Sequence, residues 1–468
     1  MTVRGALAAP PPLSRSGGDA RRAAPVGLVH LGLGNFFRAH QAWYTDHAPD
    51  AGEWGYAAFA GHGTELAAAL TSQDGLYTLL ERGPERDTAE VVASVSAAQS
   101  GADHAGWLAS VAAARVAAIT ITVTETGYCR RTDGGLDADR GDVAADVARL
   151  RADIAAPVTT APARLVAGLA ARRAADSGPL ALVPCDNVPK NGELAHRVVA
   201  DLARLVDPVV AGWIGESVAV VTTVVDRITP RASTADIETV AKMTGRHDVA
   251  PVVTEPFSEW ILAGAFPAGR PRWEYAGATF TDDVTAYEHR KLWLLNGAHS
   301  LLAYGGSVIG HHSVAGAIAD DRCREWVEQW WATAAAHLDQ PGGEVTAYEA
   351  ALVERFTNAR MHDDLSRIAQ DGSQKLPIRV LPVLRAERAA GRLPTAATRI
   401  LAAWLCHLRG LGGPVHDVRA GDLAALAVGR LSDAARKVLE RLDPQLSADD
   451  AVVAAVAEQC DELAGLKG

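Results

Sequence analysis

VGLVHLGLGNFFRAH, residues 26–40, opens on a short, β-branched apolar run that stops at glycine. Such a run reads as a buried strand, and FFRAHQAWYTDHA behind it carries helical content. Gly32 and Gly34 therefore stand where a strand hands over to a helix. A dinucleotide fold needs glycine there, for the tight turn and for close approach of backbone to a pyrophosphate. Phe37 occupies the third position of the fingerprint, giving GxGxxF, so an ordinary structural turn fits the same residues about as well. Asn35 and Arg38 add groups able to bond phosphate, and Phe36 lies between them; a surface cation is the plain alternative for Arg38. The second strand candidate ends AFAGHGTE with no acid at its tip. Glu65 is the nearest carboxylate able to hold ribose hydroxyls. No arginine cluster there would receive a 2′-phosphate, which favours NAD over NADP.

Further strand candidates are YAAFAG (56–61), LYTLLER (76–82), VAAITITVTE (116–125), LALVPCD (180–186) and VAVVTTVV (218–225). Helical patterns around 142–154, 161–175 and 192–205 lie between them, which predicts an α/β domain with a parallel sheet over 26–280. Beyond that the β signal fades. Segments 285–304, 314–338, 344–356, 378–390, 394–409 and 431–442 are rich in Ala, Leu and Arg at helical spacing, so 281–468 is expected to be a mainly α-helical substrate-binding domain. Residues 1–25, rich in Ala, Pro, Arg and Ser, read as a disordered leader without the apolar core of a signal peptide.

With 468 residues, 48% hydrophobic and 22% charged, the composition is that of a soluble globular protein. A net charge of −11 repels phosphate backbones and anionic lipid, arguing against nucleic acid and membranes as partners. No apolar run reaches the roughly 18 residues of a membrane span. The five cysteines are scattered without metal-site spacing, which fits reduced thiols in a cytoplasmic protein. HExxH, GxSxG and GxxxxGK[ST] are absent. His311-His312 lacks a spaced carboxylate or third ligand, so no metal is expected. A zinc-dependent dehydrogenase and a non-catalytic NAD sensor are the contrasting classes. The sequence leaves monomer and dimer equally open.

The second chemical motif is TDDVTAYEHRKLWLLNGAHSLLAYGG, residues 281–306. On an α-helix Lys291, Leu292, Leu295, Asn296 and His299 fall within one arc of roughly 140°. An ammonium buried against leucines has its pKa pushed toward that of a general base, and an amide beside it can steady a developing oxyanion. Lys291 snorkelling from a core helix fits as well, with Asn296 and His299 as packing residues. Tyr287 and Lys291 also make a YxxxK pair, but without the TGxxxGxG turn that accompanies it in short-chain dehydrogenases. Asn187 and Asn191 in PCDNVPKNG, and Asp226 with Arg227 in VVDRITPRAS, follow strand candidates as crevice groups or turn residues. Arg367, Lys375 and Arg379 surround an Asp-Gly-Ser turn, a local basic cluster suited to a carboxylate or to several hydroxyls, or else helix-end cations.

These islands, in this order, resemble the polyol-specific long-chain dehydrogenase/reductase (mannitol dehydrogenase) family. The matching stretches are GLGNFFRAHQAWYTD, TSQDGLYTL, TVTETGY, CDNVPKNG, VVDRITP, EPFSEWIL, FPAGRPRWE, KLWLLNGAHS and DGSQKLP, spanning about 27 to 410. The resemblance implies a Rossmann-type N-terminal domain, a helical C-terminal domain and metal-independent hydride transfer with NAD on a small sugar acid or polyol. It makes Lys291 the general acid/base, places Asn296 and Asn187 on the reacting oxygen and His299 on the substrate. It assigns Asp226, Arg367 and Lys375 to substrate-domain polar positions. Thr126 departs from the pattern, which has glycine or lysine before the Gly-Tyr pair. DGSQKLP and NGAHSLLAYGG look more like the fructuronate reductase branch than the mannitol 2-dehydrogenase branch. The expected reaction is therefore D-fructuronate to D-mannonate, with mannitol/fructose, tagaturonate or arabinitol chemistry as alternatives.

Overall fold

The computed structural model describes residues 10–61, 63–361 and 363–466. The chain divides into two compact units, Met1–Val284 and Thr285–Gly468. The first is built on six strands, β1 (Val26–Leu31), β2 (Gly55–Phe59), β3 (Val95–Gln99), β4 (Ala118–Ile121), β5 (Leu180–Pro184) and β6 (Val218–Val220). Their spatial order is β3-β2-β1-β4-β5-β6 and every pair is parallel. This is the doubly wound Rossmann order. The chain steps outward from β1 to β3, then returns to the other side of β1 for β4. Both faces of the sheet are covered by separate apolar cores, which is why its central strands read as unbroken apolar runs.

LYTLLER does form a strand, Tyr77–Arg82, but outside this sheet. It pairs antiparallel with Asp87–Val92 and parallel with Val252–Thr254. VAVVTTVV splits. Val218–Val220 becomes β6, while Thr222–Asp226 leaves to pair antiparallel with Glu259–Ala263.

Residues 1–9 of the expected leader lie outside the described residues. The rest of it, 10–25, is corrected from disordered to packed: Leu13 is fully buried and Pro12 bridges to His247. Arg15 donates to the carbonyls of Asp74, Ala93 and Val95, and Arg21 pairs with Asp46 at 2.6 Å. Arg15 thus satisfies backbone carbonyls of the first unit, while Arg21 meets a carboxylate.

The second unit is helical. Asp321–Ala335, Gly342–Thr357, Thr395–Leu408, Leu431–Leu442 and Asp450–Gly465 are its longest helices. Cys406 and Cys460, far apart in sequence, meet on two of them with sulfurs 2.9 Å apart. Among the described residues no helix is long and apolar enough to cross a membrane.

Candidate functional site

In the first unit, β1 ends at a turn that only glycine makes. Gly32 has φ +115°, and a Cβ there would lie 2.5 Å from the Thr122 carbonyl oxygen. Gly34 has extended backbone, and its Cβ would touch only the Gly32 oxygen at 3.4 Å. The missing side chain at 34 thus leaves open space that a ligand can take. A cleft of about 300 Å³ opens beside the turn, lined by Gly32, Gly61, Thr122, Thr124, Arg140 and Arg164 among others. It sits at the carboxyl ends of β1, β2 and β4, where the winding direction of the sheet reverses and α/β folds bind their ligands. These residues fit a dinucleotide.

Phe37 explains the missing third glycine. Its ring stacks on buried His30 with centroids 3.7 Å apart and lies edge-on to Tyr56 at 4.9 Å, filling the space that close helix–strand packing would otherwise close. His30 bonds Thr120 Oγ1 at 2.8 Å and Thr122 Oγ1 at 3.1 Å. Burial pushes its pKa from 6.5 down to about 3. The unfolded chain therefore takes a proton here below about pH 6.5 that the folded chain refuses until about pH 3. Stability from this site is complete above the upper value and is lost as pH falls through the window. In urea titrations the wild type should lose, relative to His30→Gln, on the order of 1 kcal/mol per pH unit below about pH 6. Parallel pH dependences for the two proteins would show that the imidazole is not so held.

Two expected ligand residues are spent inside the protein. Arg38 is 2% exposed. It donates to the carbonyls of Gly34 and Ala250 and to Asn35 Oδ1, and lies over the Tyr77 ring at 5.3 Å. It is a scaffold cation rather than a phosphate ligand, and it holds the Asn35 side chain with it. Asn191 is fully buried, donating to the carbonyls of Asp186 and Thr223 and to Thr223 Oγ1, and accepting from Thr223 N–H at 2.9 Å. It ties the helix Asn191–Val206 to the strand Thr222–Asp226 and has no amide group left for substrate. Phe36 stacks on His40 at 4.9 Å. Glu65 is exposed, and the backbone amides of Glu65 and Thr64 hold its carboxyl below the usual range, so it caps its own helix.

Asn187 is exposed in the turn after β5. Asp226 is buried at the end of its strand, opposite Glu259. Its neighbour Arg227 reaches the other way, to the carbonyls of Ala39 and Glu255 and to the Glu81 carboxylate.

In the second unit the helix expected over 285–304 begins as Thr285–Arg290 and widens into π turns at Lys291–Gly297 and Leu302–Gly306, separated by Ala298–Leu301. This corrects the regular α-helix and changes who shares a face. Five residues apart on an α-helix is about 140°. The i→i+5 bonding of a π turn brings Asn296 round to the side of Lys291. The cause lies elsewhere in sequence. Trp330 and Trp331 are buried, and their indole N–H groups donate to the carbonyls of Trp293 at 2.7 Å and Leu294 at 2.9 Å. Donors inserted into the ladder in this way are a known source of helix irregularity.

Lys291 is 7% exposed, while Asn296 and His299 are half-buried. The His299 ring packs on Phe356 with centroids 4.9 Å apart. Arg379, the third member of the basic cluster, donates to Ser300 Oγ at 3.3 Å and to the Asn296 carbonyl at 3.5 Å. It buttresses this turn, a role visible only once the chain has folded. Lys375 donates to the Ile368 carbonyl at 3.2 Å, and Arg367 is exposed. His311 bonds Asp320 at 3.0 Å, and no group of three or more His, Cys, Asp or Glu among the described residues could hold a metal ion.

Residues 26–275 match the mannitol dehydrogenase Rossmann domain, and 283–464 the mannitol dehydrogenase C-terminal domain. The chain is 35% identical over 392 residues to a mannitol 2-dehydrogenase of Cereibacter sphaeroides, covering 82% of this chain and 81% of that one. It is 34% identical over 397 residues to a D-mannonate oxidoreductase of Escherichia coli K12, covering 82% and 80%. Among solved structures, a Pseudomonas fluorescens mannitol 2-dehydrogenase in ternary complex with NAD and D-mannitol superposes with TM-score 0.80 at 31% identity, over 94% of this chain and 92% of that one. A Rossmann sheet with its glycine turn, a helical second unit carrying the lysine motif, and matches across both halves place this chain in the mannitol dehydrogenase family of oxidoreductases.

Proposed function

We propose that this protein is a metal-independent, NAD-dependent secondary-alcohol dehydrogenase that reversibly reduces D-fructuronate to D-mannonate. The observation that carries the chemistry is Lys291, nearly buried at the first position of a π turn that brings Asn296 to its side. When bound, NADH supplies the hydride that the substrate carbonyl carbon accepts. Lys291 gives its proton to the carbonyl oxygen as that atom becomes a hydroxyl, and in the oxidation direction neutral Lys291 removes it. The Asn296 amide donates to the same oxygen as its charge grows. His299, braced by Phe356, orients the substrate hydroxyls.

The uronate reading draws its support from the cations of the second unit. Arg367 precedes the helix Gly372–Arg379, which carries Lys375 and ends in Arg379, and Arg379 reaches the turn bearing Asn296. A carboxylate is the ligand such cations favour. Mannitol/fructose interconversion is the second reading, favoured by the 35% identical mannitol 2-dehydrogenase and the mannitol-bound structure. NADH consumption with D-fructuronate, D-tagaturonate and D-fructose side by side separates them. Fructuronate is expected to be preferred, and prior dialysis against EDTA should leave the rate unchanged. Preference for fructose would replace the uronate reading with the polyol one, and loss of activity after EDTA would overturn metal independence.

A further inference from the structure

Thr122 follows β4 and lines the cleft beside the glycine turn. Its hydroxyl donates to the Gly32 carbonyl at 2.9 Å. With its one proton committed, that oxygen accepts from His30 Nε2 at 3.1 Å, so the ring proton sits on Nε2. His30 Nδ1 then accepts from the Thr120 hydroxyl at 2.8 Å. Hydrogen bonds therefore run unbroken through Thr120, His30, Thr122 and Gly32.

The chain ends on the peptide that matters for an anion. The Gly32 carbonyl is held by Thr122, and the N–H of the same peptide, on Leu33, is held by the Phe59 carbonyl at 2.9 Å. Both ends of this peptide are thus pinned, at a glycine whose missing Cβ would otherwise leave the backbone free to turn. Released, its carbonyl dipole can turn toward the cleft and meet a phosphate with the wrong sign.

We propose that Thr122, held by His30, is a positioning residue for cofactor binding: its hydroxyl locks the Gly32 peptide so that the turn accepts a dinucleotide pyrophosphate. The inference rests on the reading of this cleft as the NAD site. Thr122→Val keeps the shape and removes the hydroxyl. It should weaken NADH binding, followed by fluorescence titration, about tenfold, as expected for one buried hydrogen bond. The rate at saturating NADH should change far less, and Thr122→Ser should restore the affinity. If Thr122→Val does not fold, Thr122→Ser and Thr122→Ala, which differ by the hydroxyl alone, repeat the comparison. A folded Thr122→Val that binds NADH like the wild type overturns the proposal. So does a serine variant as weak as the valine or alanine one. A wild-type protein that binds no NADH would instead sink the assignment of the cleft, before any variant is compared.

Discussion

Replacing Lys291 by alanine should lower kcat about a thousandfold in both directions, with NADH affinity changed by less than about twofold. The ammonium is the proton carrier in the proposed reaction and stands on the second unit, whereas the glycine turn and its cleft belong to the first. Removing a group that acts on the reacting oxygen costs transition-state stabilisation and leaves cofactor binding alone. Alanine is the best helix former, so the loss cannot be charged to an unravelled helix. Lys291→Arg should not recover the oxidation rate, because a guanidinium keeps its proton at any working pH and cannot act as a base. Asn296→Ala, with the proton carrier intact, should fall by a smaller factor, on the order of a hundredfold. An alanine variant at position 291 that turns over at the wild-type rate would remove the lysine from the mechanism.

The legible parts of this protein are those whose cause lies within a few residues. The apolar run of β1, the glycine turn and the lysine motif announce themselves locally. Strand β3 is short, small and half-exposed at the sheet edge, and carries little periodic signal, whereas Tyr77–Arg82 is a strong apolar run whose partner Val252–Thr254 is remote in sequence. Arg38 and Asn191 illustrate a different limit. Their chemistry suits a ligand site, but the groups that claim them, Ala250 for one and Thr223 for the other, lie 212 and 32 residues away. Residue type therefore pointed to the right neighbourhood, and long-range hydrogen bonding decided which side chains are left to face it. The π turn is the same lesson in reverse. Nothing between 285 and 306 dictates it, and the Trp330-Trp331 pair that stabilises it looks by itself like ordinary core.

Gly297→Ala should lower the thermal midpoint by about 5–10 °C, against the usual trend. In an exposed helix interior the same exchange stabilises by about 1 kcal/mol, because glycine is the poorer helix former. Here an added Cβ would lie 2.6 Å from Trp330 Nε1 and 2.8 Å from Cε2 and Cζ2 of that ring. Trp330 is fully buried and its N–H is engaged with the Trp293 carbonyl, so the indole cannot swing away without leaving a donor unsatisfied. Overpacking costs about 1–3 kcal/mol and an orphaned buried N–H about as much again. At the middle of these ranges the sum outweighs the propensity gain by about 3 kcal/mol, at roughly 2–4 °C per kcal/mol for a unit of this size. The strain falls on the turn that carries Lys291 and Asn296, so kcat should drop about tenfold as well. Gly342→Ala is the control, since a Cβ there meets open space, and its midpoint should not fall. Trp330→Phe removes the crowding atoms along with the donor, so the double variant should melt higher than the sum of the two single losses predicts. A Gly297→Ala protein melting at or above the wild type would mean that the indole does not sit against this turn, and the π geometry attributed to it would lose its cause.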